Sequence, residues 1–351
     1  MDVAVIGFAE APCVRHGITT TNGVEMLVPI FREVLAATGL SKQDIGFWCS
    51  GSSDYLAGRA FSFVSAVDAI GAFPPIVESH LEMDGAWALY EAYVKILTGE
   101  AETALAYGFG KSSAGHLRRV LAMQLDPYVV APLWPDSVSI AALQARLGIE
   151  AGLYSERTMA EVAVRSRAAA RGNPTAQVAG EVAVDELLDE PYVADPLRAH
   201  DCAPVGDGAA AVVLASGDVA RRHCRQPAWI TGFDHRVESS GLGLRDLTAS
   251  ASTTAAGAAA GVASGDIDVA ELHAPFTHQE ILLARALGLR DTVRINPSGG
   301  ALCGNPMFAA GLARIGSAAR QIISGDARRA VGHATSGPAL QQNLVCVLEA
   351  R

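Results

Sequence analysis

The sequence has no C-x-x-C pair, no apolar run long enough to cross a membrane and no basic leader. Its six cysteines (Cys13, Cys49, Cys202, Cys224, Cys303, Cys346) are scattered along 351 residues. That spacing argues against a disulfide framework or a zinc site, and for reduced thiols in a cytosol. The expected location is therefore cytoplasmic. The N-terminus, MDVAVIGFAEAP, reads as a first strand and not as a signal peptide. No G-x-G-x-x-G spacing follows that strand, which argues against a dinucleotide site. Charge is also sparse, at 18% against 50% hydrophobic residues. An ample core under a lean polar surface points to oligomerisation. The formal charge, 27 − 37 = −10, argues against a general nucleic-acid binder. A phosphate-bearing ligand is still compatible with it where cations collect locally.

What is present is organised around residues 75–110. Ile76–Ser79 is short and β-prone. Ala86, Leu89, Tyr90, Tyr93, Ile96 and Leu97 then recur at helical spacing, and Gly99 can close the helix. Thr103–Phe109 is an apolar run suited to a strand buried on both faces. The corner Glu82-Met83-Asp84 thus sits between a strand end and a helix N-terminus, where free N–H groups and the helix dipole favour negative charge. Open α/β sheets place chemistry at such corners. The alternative is that Asp84 or Glu82 simply caps the helix.

Ahead of this stretch lie a strand (Asp2–Phe8), an amphipathic helix (Asn22–Thr38, with Pro29 inside and Gly39 ending it), a strand (Ile45–Ser50) and a helix (Arg59–Gly71). After it, residues 112–200 change texture. Prolines and two helical patterns (Ser137–Leu147 and Ser155–Arg171) suggest a mostly helical excursion over one sheet face. Its arginines, Arg118 and Arg119 among them, are either anion contacts or a solvated helix face. Asp207-Gly208 reads as a turn and Ala209–Leu214 as a buried strand.

From Ala228 the pattern of the first half repeats: strand, small-residue helix (Thr248–Val262), strand (Val269–His273), helix (Gln279–Leu287), glycine-rich corner, helix (Met307–Ile323) and two strands. The expected fold is α/β, two duplicated halves in a layered αβαβα sandwich. Residues 1–111 and 201–227 form one half, 228–351 the other, and 112–200 a helical loop domain. The glycine-cornered helices would pack back to back, and the active corners would meet in one cleft.

Those corners carry Glu82 and Asp84, then His273, then Asn305 with Cys303, then His333 with Thr335 and Ser336. His273 directly follows a strand and is suited to polarising a carbonyl or moving a proton; the alternative is a core histidine. Ser298, Gly299 and Gly300 let backbone approach a ligand closely. Cys303 is expected at a helix N-terminus, where a thiol pKa falls; the alternative is a small core residue.

The segments DGAWALYEAY, APVGDGAAAVVLAS, VAELHAPFT, INPSGGALCGNPMFAAG and GHATSGPALQQN carry a resemblance. Over essentially its full length the chain resembles the thiolase superfamily, and within it the sterol-carrier-protein (lipid-transfer) group with its steroid side-chain-degrading members. The resemblance implies paired five-stranded halves, a coenzyme A thioester as substrate and no permanently bound cofactor. Departures from the family pattern set the expected chemistry. Glu82 stands where a thiolase has its nucleophilic cysteine. Asn305-Pro306 replaces His-Pro, and Ala334, beside His333, replaces a second cysteine. His273 keeps the oxyanion-hole position. Cysteine-less relatives resemble aldolases that split a β-hydroxyacyl-CoA. A retro-aldol step needs a base, here Glu82 or Asp84, and enolate donors, here His273 with backbone N–H groups or a water held by Asn305. Those relatives use tyrosines. None stands at His273 or in the last loop, where Pro338 lies.

The resemblance also implies a homo- or heterodimer of thiolase-like chains and a small partner with an OB-fold and a zinc ribbon. Three readings follow: a lyase on a steroid or other bulky acyl-CoA, a non-catalytic subunit for assembly and acyl-CoA or lipid binding, and an acetyl-CoA acyltransferase using Cys303.

Overall fold

The computed structural model describes residues 2–15, 22–57 and 61–351. The first half contributes β1 (Val3–Glu10), β2 (Phe47–Gly51), β3 (Glu78–Leu81) and β4 (Thr103–Lys111). It also contributes helices α1 (Gly23–Thr38), α2 (Asp54–Ala57), α3 (Phe63–Ile70) and α4 (Gly85–Leu97). The excursion carries α5 (Leu117–Ala122), α6 (Ser137–Glu150), α7 (Glu156–Ala169), α8 (Val184–Leu188) and a hairpin of β5 (Tyr192–Ala194) with β6 (Leu197–Arg198). β7 (Val205–Ser216) and α9 (Gly217–His223) return to the sheet. The second half contributes β8 (Ala228–Val237), α10 (Ala251–Ala259), β9 (Val269–Glu271), α11 (Thr277–Ala286), β10 (Arg294–Ile295), β11 (Asn305–Pro306), α12 (Ala310–Ile323), β12 (Arg329–Ser336) and β13 (Gln342–Glu349).

The duplication is explicit in the strand order, β10-β9-β12-β13-β8-β1-β7-β4-β2-β3. Read outward from the centre, each half runs first strand, last strand, then β4-β2-β3 or β12-β9-β10. The directions match as well. β7 is antiparallel to β1 and β4, and β2 is parallel to β4 and β3. In the other half β13 is antiparallel to β8 and β12, and β9 is parallel to β12 and β10. The halves join where β1 meets β8.

Alternation along the strands builds the layers. Val3 and Val5 face an inner core shared with α4 and α12, while Ala4 and Ile6 face an outer core under α1. In the other half Val269 faces the inner core and Ala270 faces α10 and α11. Leu89 and Ile96 of α4 and Leu312 and Ile315 of α12 are fully buried, each contributing about 1.5–3 kcal/mol. The result is the α/β layered sandwich expected from the duplicated pattern, with two helices back to back at its centre.

Local signals place the elements. Asn22 and Glu25 form a reciprocal capping box at the start of α1, and Gly39, at φ +65, ends it. α3 starts at Phe63 and ends at Ile70, capped by Gly71; the expected start, Arg59, lies outside the described residues. Asp207 and Gly208 are in β7 and not in a turn, because pairing with β4 extends to Lys111 and the Asp207 carboxylate is held by Ser113. α12 begins at Ala310, three residues after the expected Met307. Among the described residues no helix is long and apolar enough to cross a membrane.

Candidate functional site

The segment before α12 is pressed into the first half. Asn305-Pro306 pairs with Val205-Gly206 of β7. The next carbonyls, of Met307 and Phe308, lie over Gly110 and Gly108 of β4. A Cβ at these glycines would meet the oxygens at 2.2 and 2.1 Å, so only glycine permits the approach. Gly85 N–H donates to the Phe308 carbonyl at 2.8 Å, tying the start of α4 to this segment.

Asp84 completes the tie. Buried at the N-cap of α4, its Oδ1 accepts from Ala86 N–H at 2.9 Å. The same oxygen accepts from Leu312 N–H at 2.9 Å, and Oδ2 from Gly311 N–H at 3.0 Å. One carboxylate thus caps α4 and α12 together, with both dipoles favouring its charge. Of the readings offered by the sequence, Asp84 takes the capping one, and both its oxygens are committed.

His273 follows β9 and is buried at the seam between the halves. Its Nδ1 accepts from Thr335 N–H at 3.3 Å. The ring proton is therefore on Nε2, which donates to Asn305 Oδ1 at 3.0 Å. Burial pulls the imidazole below its ordinary pKa, against the opposing charge of Asp84. A neutral ring that donates from Nε2 is the form an acyl oxygen needs.

His333 does not join this group. It is an interior residue of β12, fully buried, with Nε2 bonded to Asn343 Oδ1 at 3.0 Å. Burial pushes its pKa down to about 3. Glu82 turns the other way, towards the outer edge of the sheet. It is half-exposed, and its Oε1 accepts from Asp54 N–H at 2.8 Å. Among the described residues no hydrogen bond joins it to His273.

The glycine corner is packed shut. Ser298 donates through its backbone N–H and its hydroxyl to the two Glu271 oxygens, at 3.0 and 2.7 Å, and Arg314 binds both residues. Cβ atoms at Gly299 and Gly300 would strike Ala170 and Asn296. The space behind the corner is about 10 Å³, room for a single water-sized group. Ser298, Gly299 and Gly300 are thus structural and do not form an open ligand cradle. Arg118 and Arg119 are exposed on α5, and Arg118 pairs with Asp136 at 2.5 Å. They take the solvated-face reading.

No protein-family model matches the chain. Over a 372-position alignment it is 27% identical to the acetyl-CoA acetyltransferase of Methanothermobacter thermautotrophicus, covering 96% of this chain and 94% of that protein. It is 29% identical to sterol carrier protein 2 of Gallus gallus across 74% of this chain, and spans about half (54%) of that relative's length. The Ltp2-ChsH2(DUF35) aldolase superposes with a TM-score of 0.81 at 18% identity, covering 99% of this chain and 98% of that one. Human mitochondrial 3-ketoacyl-CoA thiolase superposes with a TM-score of 0.80, also at 18% identity, covering 100% and 99%. The chain has the thiolase fold and is similar over nearly its full length to proteins of the thiolase superfamily.

Within this thiolase-like chain Cys303 is not at a helix N-terminus, because α12 starts at Ala310. Burial raises the thiol to about 11. The native protein is expected to leave Cys303 unmodified by iodoacetamide at pH 8 and to label it only after denaturation, read by peptide mass spectrometry. Rapid native labelling would restore the thiol-based reading.

Glu271 and Arg314, a fully buried ion pair at 3.2 Å, went unmarked in the sequence reading. The available signal was a charge inside each of the apolar runs VAELH and GLARIG. Thr335 contributes through its backbone N–H, which no side-chain motif encodes.

Proposed function

We propose that this chain binds an acyl-CoA thioester and cleaves a carbon–carbon bond of a β-hydroxyacyl group by a retro-aldol step, as part of a hetero-oligomer. The observation that carries this reading is the neutral, buried His273–Asn305 pair, on a corner whose nucleophile position holds Glu82. A carboxylate is a poor acyl acceptor beside a thiolate. A retro-aldol cleavage needs no nucleophile, only a base and enolate donors. The Asn305 NH₂ supplies one donor, and His273 Nε2–H supplies the other when the substrate oxygen takes the place of Asn305 Oδ1. With both Asp84 oxygens bound to backbone N–H groups, Glu82 is the carboxylate of the corner left to serve as the base.

The names of similar proteins support the substrate class. One is an acetyl-CoA acetyltransferase, and another, 26% identical, is the benzoylsuccinyl-CoA thiolase subunit BbsB of Thauera aromatica. The aldolase neighbour carries a two-component name, which supports a partner protein. We assign the bulky acyl chain to a steroid side chain, in keeping with the similarity to sterol carrier protein 2. The edge strand β3, flanked by exposed Phe61, Val64, Phe73 and Val77, offers a surface for a second thiolase-like chain. One observation favours a second reading, a non-catalytic subunit: Glu82 has no contact with His273.

Assaying the purified complex and the chain alone on a steroid β-hydroxyacyl-CoA separates the two readings. His273→Ala is expected to lower turnover at least about 100-fold, judged by released ketone and short acyl-CoA. Cleavage by the complex that ignores this change moves the chemistry to the partner.

A further inference from the structure

The corner holds a second titratable group that the proposed chemistry leaves unused. His80 sits on β3 opposite Ser50 of β2. Its Nδ1 lies 2.9 Å from Ser50 Oγ, and Ser50 Oγ donates to Glu78 Oε1 at 3.4 Å. A serine hydroxyl has one proton, so the oxygen given over to Glu78 accepts from Nδ1–H. The His80 lone pair is then on Nε2, which lies 3.7 Å from Glu82 Oε2. Phe63 stacks on the ring at 5.1 Å and 24°, fixing its plane. Asp54 N–H holds the other Glu82 oxygen. Ser50 is fully buried, which excludes it as a nucleophile and leaves it the role of orienting the imidazole.

We propose that Glu82 and His80 act as one proton-holding pair, Glu82 meeting the substrate and His80 taking the proton over. The inference rests on the lyase reading and deepens it. In the cleavage direction the β-hydroxyl O–H bond breaks and its proton goes to Glu82. The freed electron pair forms the ketone C=O. The Cα–Cβ electrons move into the thioester enolate held by His273 and Asn305. Glu82 hands its proton to His80 Nε2, giving an imidazolium whose Nδ1–H stays on Ser50. The same proton returns through Glu82 to the enolate α-carbon, so none is gained or lost. Among the described residues the other charged or titratable groups around the ring are Glu78 behind Ser50, Asp54 from α2 and the Tyr107 hydroxyl beyond Ser50 from β4.

The test has an arm that needs no turnover. Nitrogen-15 NMR of the full-length protein labelled at histidine, at pH 8, is expected to show His80 as the Nδ1–H tautomer. Ser50→Ala should shift it towards Nε2–H. In the cleaving complex His80→Gln should lower kcat about 100-fold with KM unchanged. An Nε2–H tautomer in the unsubstituted protein overturns the proposal. So does a His80→Gln complex that cleaves at the original rate. A complex that cleaves nothing sinks the lyase reading alone, and the tautomer then still decides whether the pair is built as described.

Discussion

Replacing Asp84 by alanine is expected to lower the unfolding free energy by roughly 4–6 kcal/mol, a change seen only when a specific mechanism is at work. The mechanism is countable. Ala86, Gly311 and Leu312 each lose a buried partner for their N–H. Each orphaned donor costs about 1–3 kcal/mol. The two helix dipoles also lose the negative charge placed against them. Gly311 shows how closely the parts fit, since a Cβ there would lie 2.7 Å from Asp84 Oδ1. Urea unfolding would read the effect as a lower midpoint with an unchanged slope. A loss below 1 kcal/mol would mean that water satisfies these donors.

Asp84→Asn separates capping from catalysis. The amide oxygen still accepts, but its NH₂ faces a backbone donor, so a loss of about 2 kcal/mol is expected. If Asp84 only caps, that variant keeps its turnover. If Asp84 were the base, turnover would collapse while most of the stability survived.

Much of the fold was legible because the duplication repeats one hydrophobic grammar. Residues 103–109 and 344–348 are apolar runs of the kind that both-face burial demands. The small residues of DGAWAL predict a helix packed against another helix. What escaped were features set by contact. Asp207-Gly208 reads as a turn in isolation, but Ser113, 94 positions away, holds the carboxylate. The glycine corner reads as a ligand cradle, yet Ala170, Asn296 and Cys303 fill the space that its missing Cβ atoms leave. His333 is as polar in sequence as His273. Only the strand register, which pairs it with Val345, assigns it to the interior. The corner Glu82-Met83-Asp84 sends its two carboxylates opposite ways, one to the helix termini and one to β3. No periodicity rule orients side chains in a turn.

Acidification is expected to weaken the fold through its buried histidines. Burial pushes His278 and His333 down to about 3, and His273 is lowered as well. In the unfolded chain such groups titrate near 6.5. Between these values the unfolded state binds protons that the native state refuses, so stability is full above about pH 6.5 and drains as pH falls towards 3. At pH 5 the loss is roughly 2 kcal/mol for each of His278 and His333, or about 4 kcal/mol for the pair. Glu78, Glu271 and Asp201 act in the opposite sense. Burial raises their pKa values, so their contribution improves as pH falls. A difference measurement removes that background. Among the described residues His278 bonds only through Nε2, to Gln144 Oε1 at 3.2 Å, and its Nδ1 has no partner. His278→Gln therefore removes the titrating group at the cost of one hydrogen bond. The stability gap between the original protein and this variant should narrow by about 2 kcal/mol between pH 7.5 and pH 5. A gap that stays constant would mean that His278 takes up its proton in the folded state as readily as in the unfolded one.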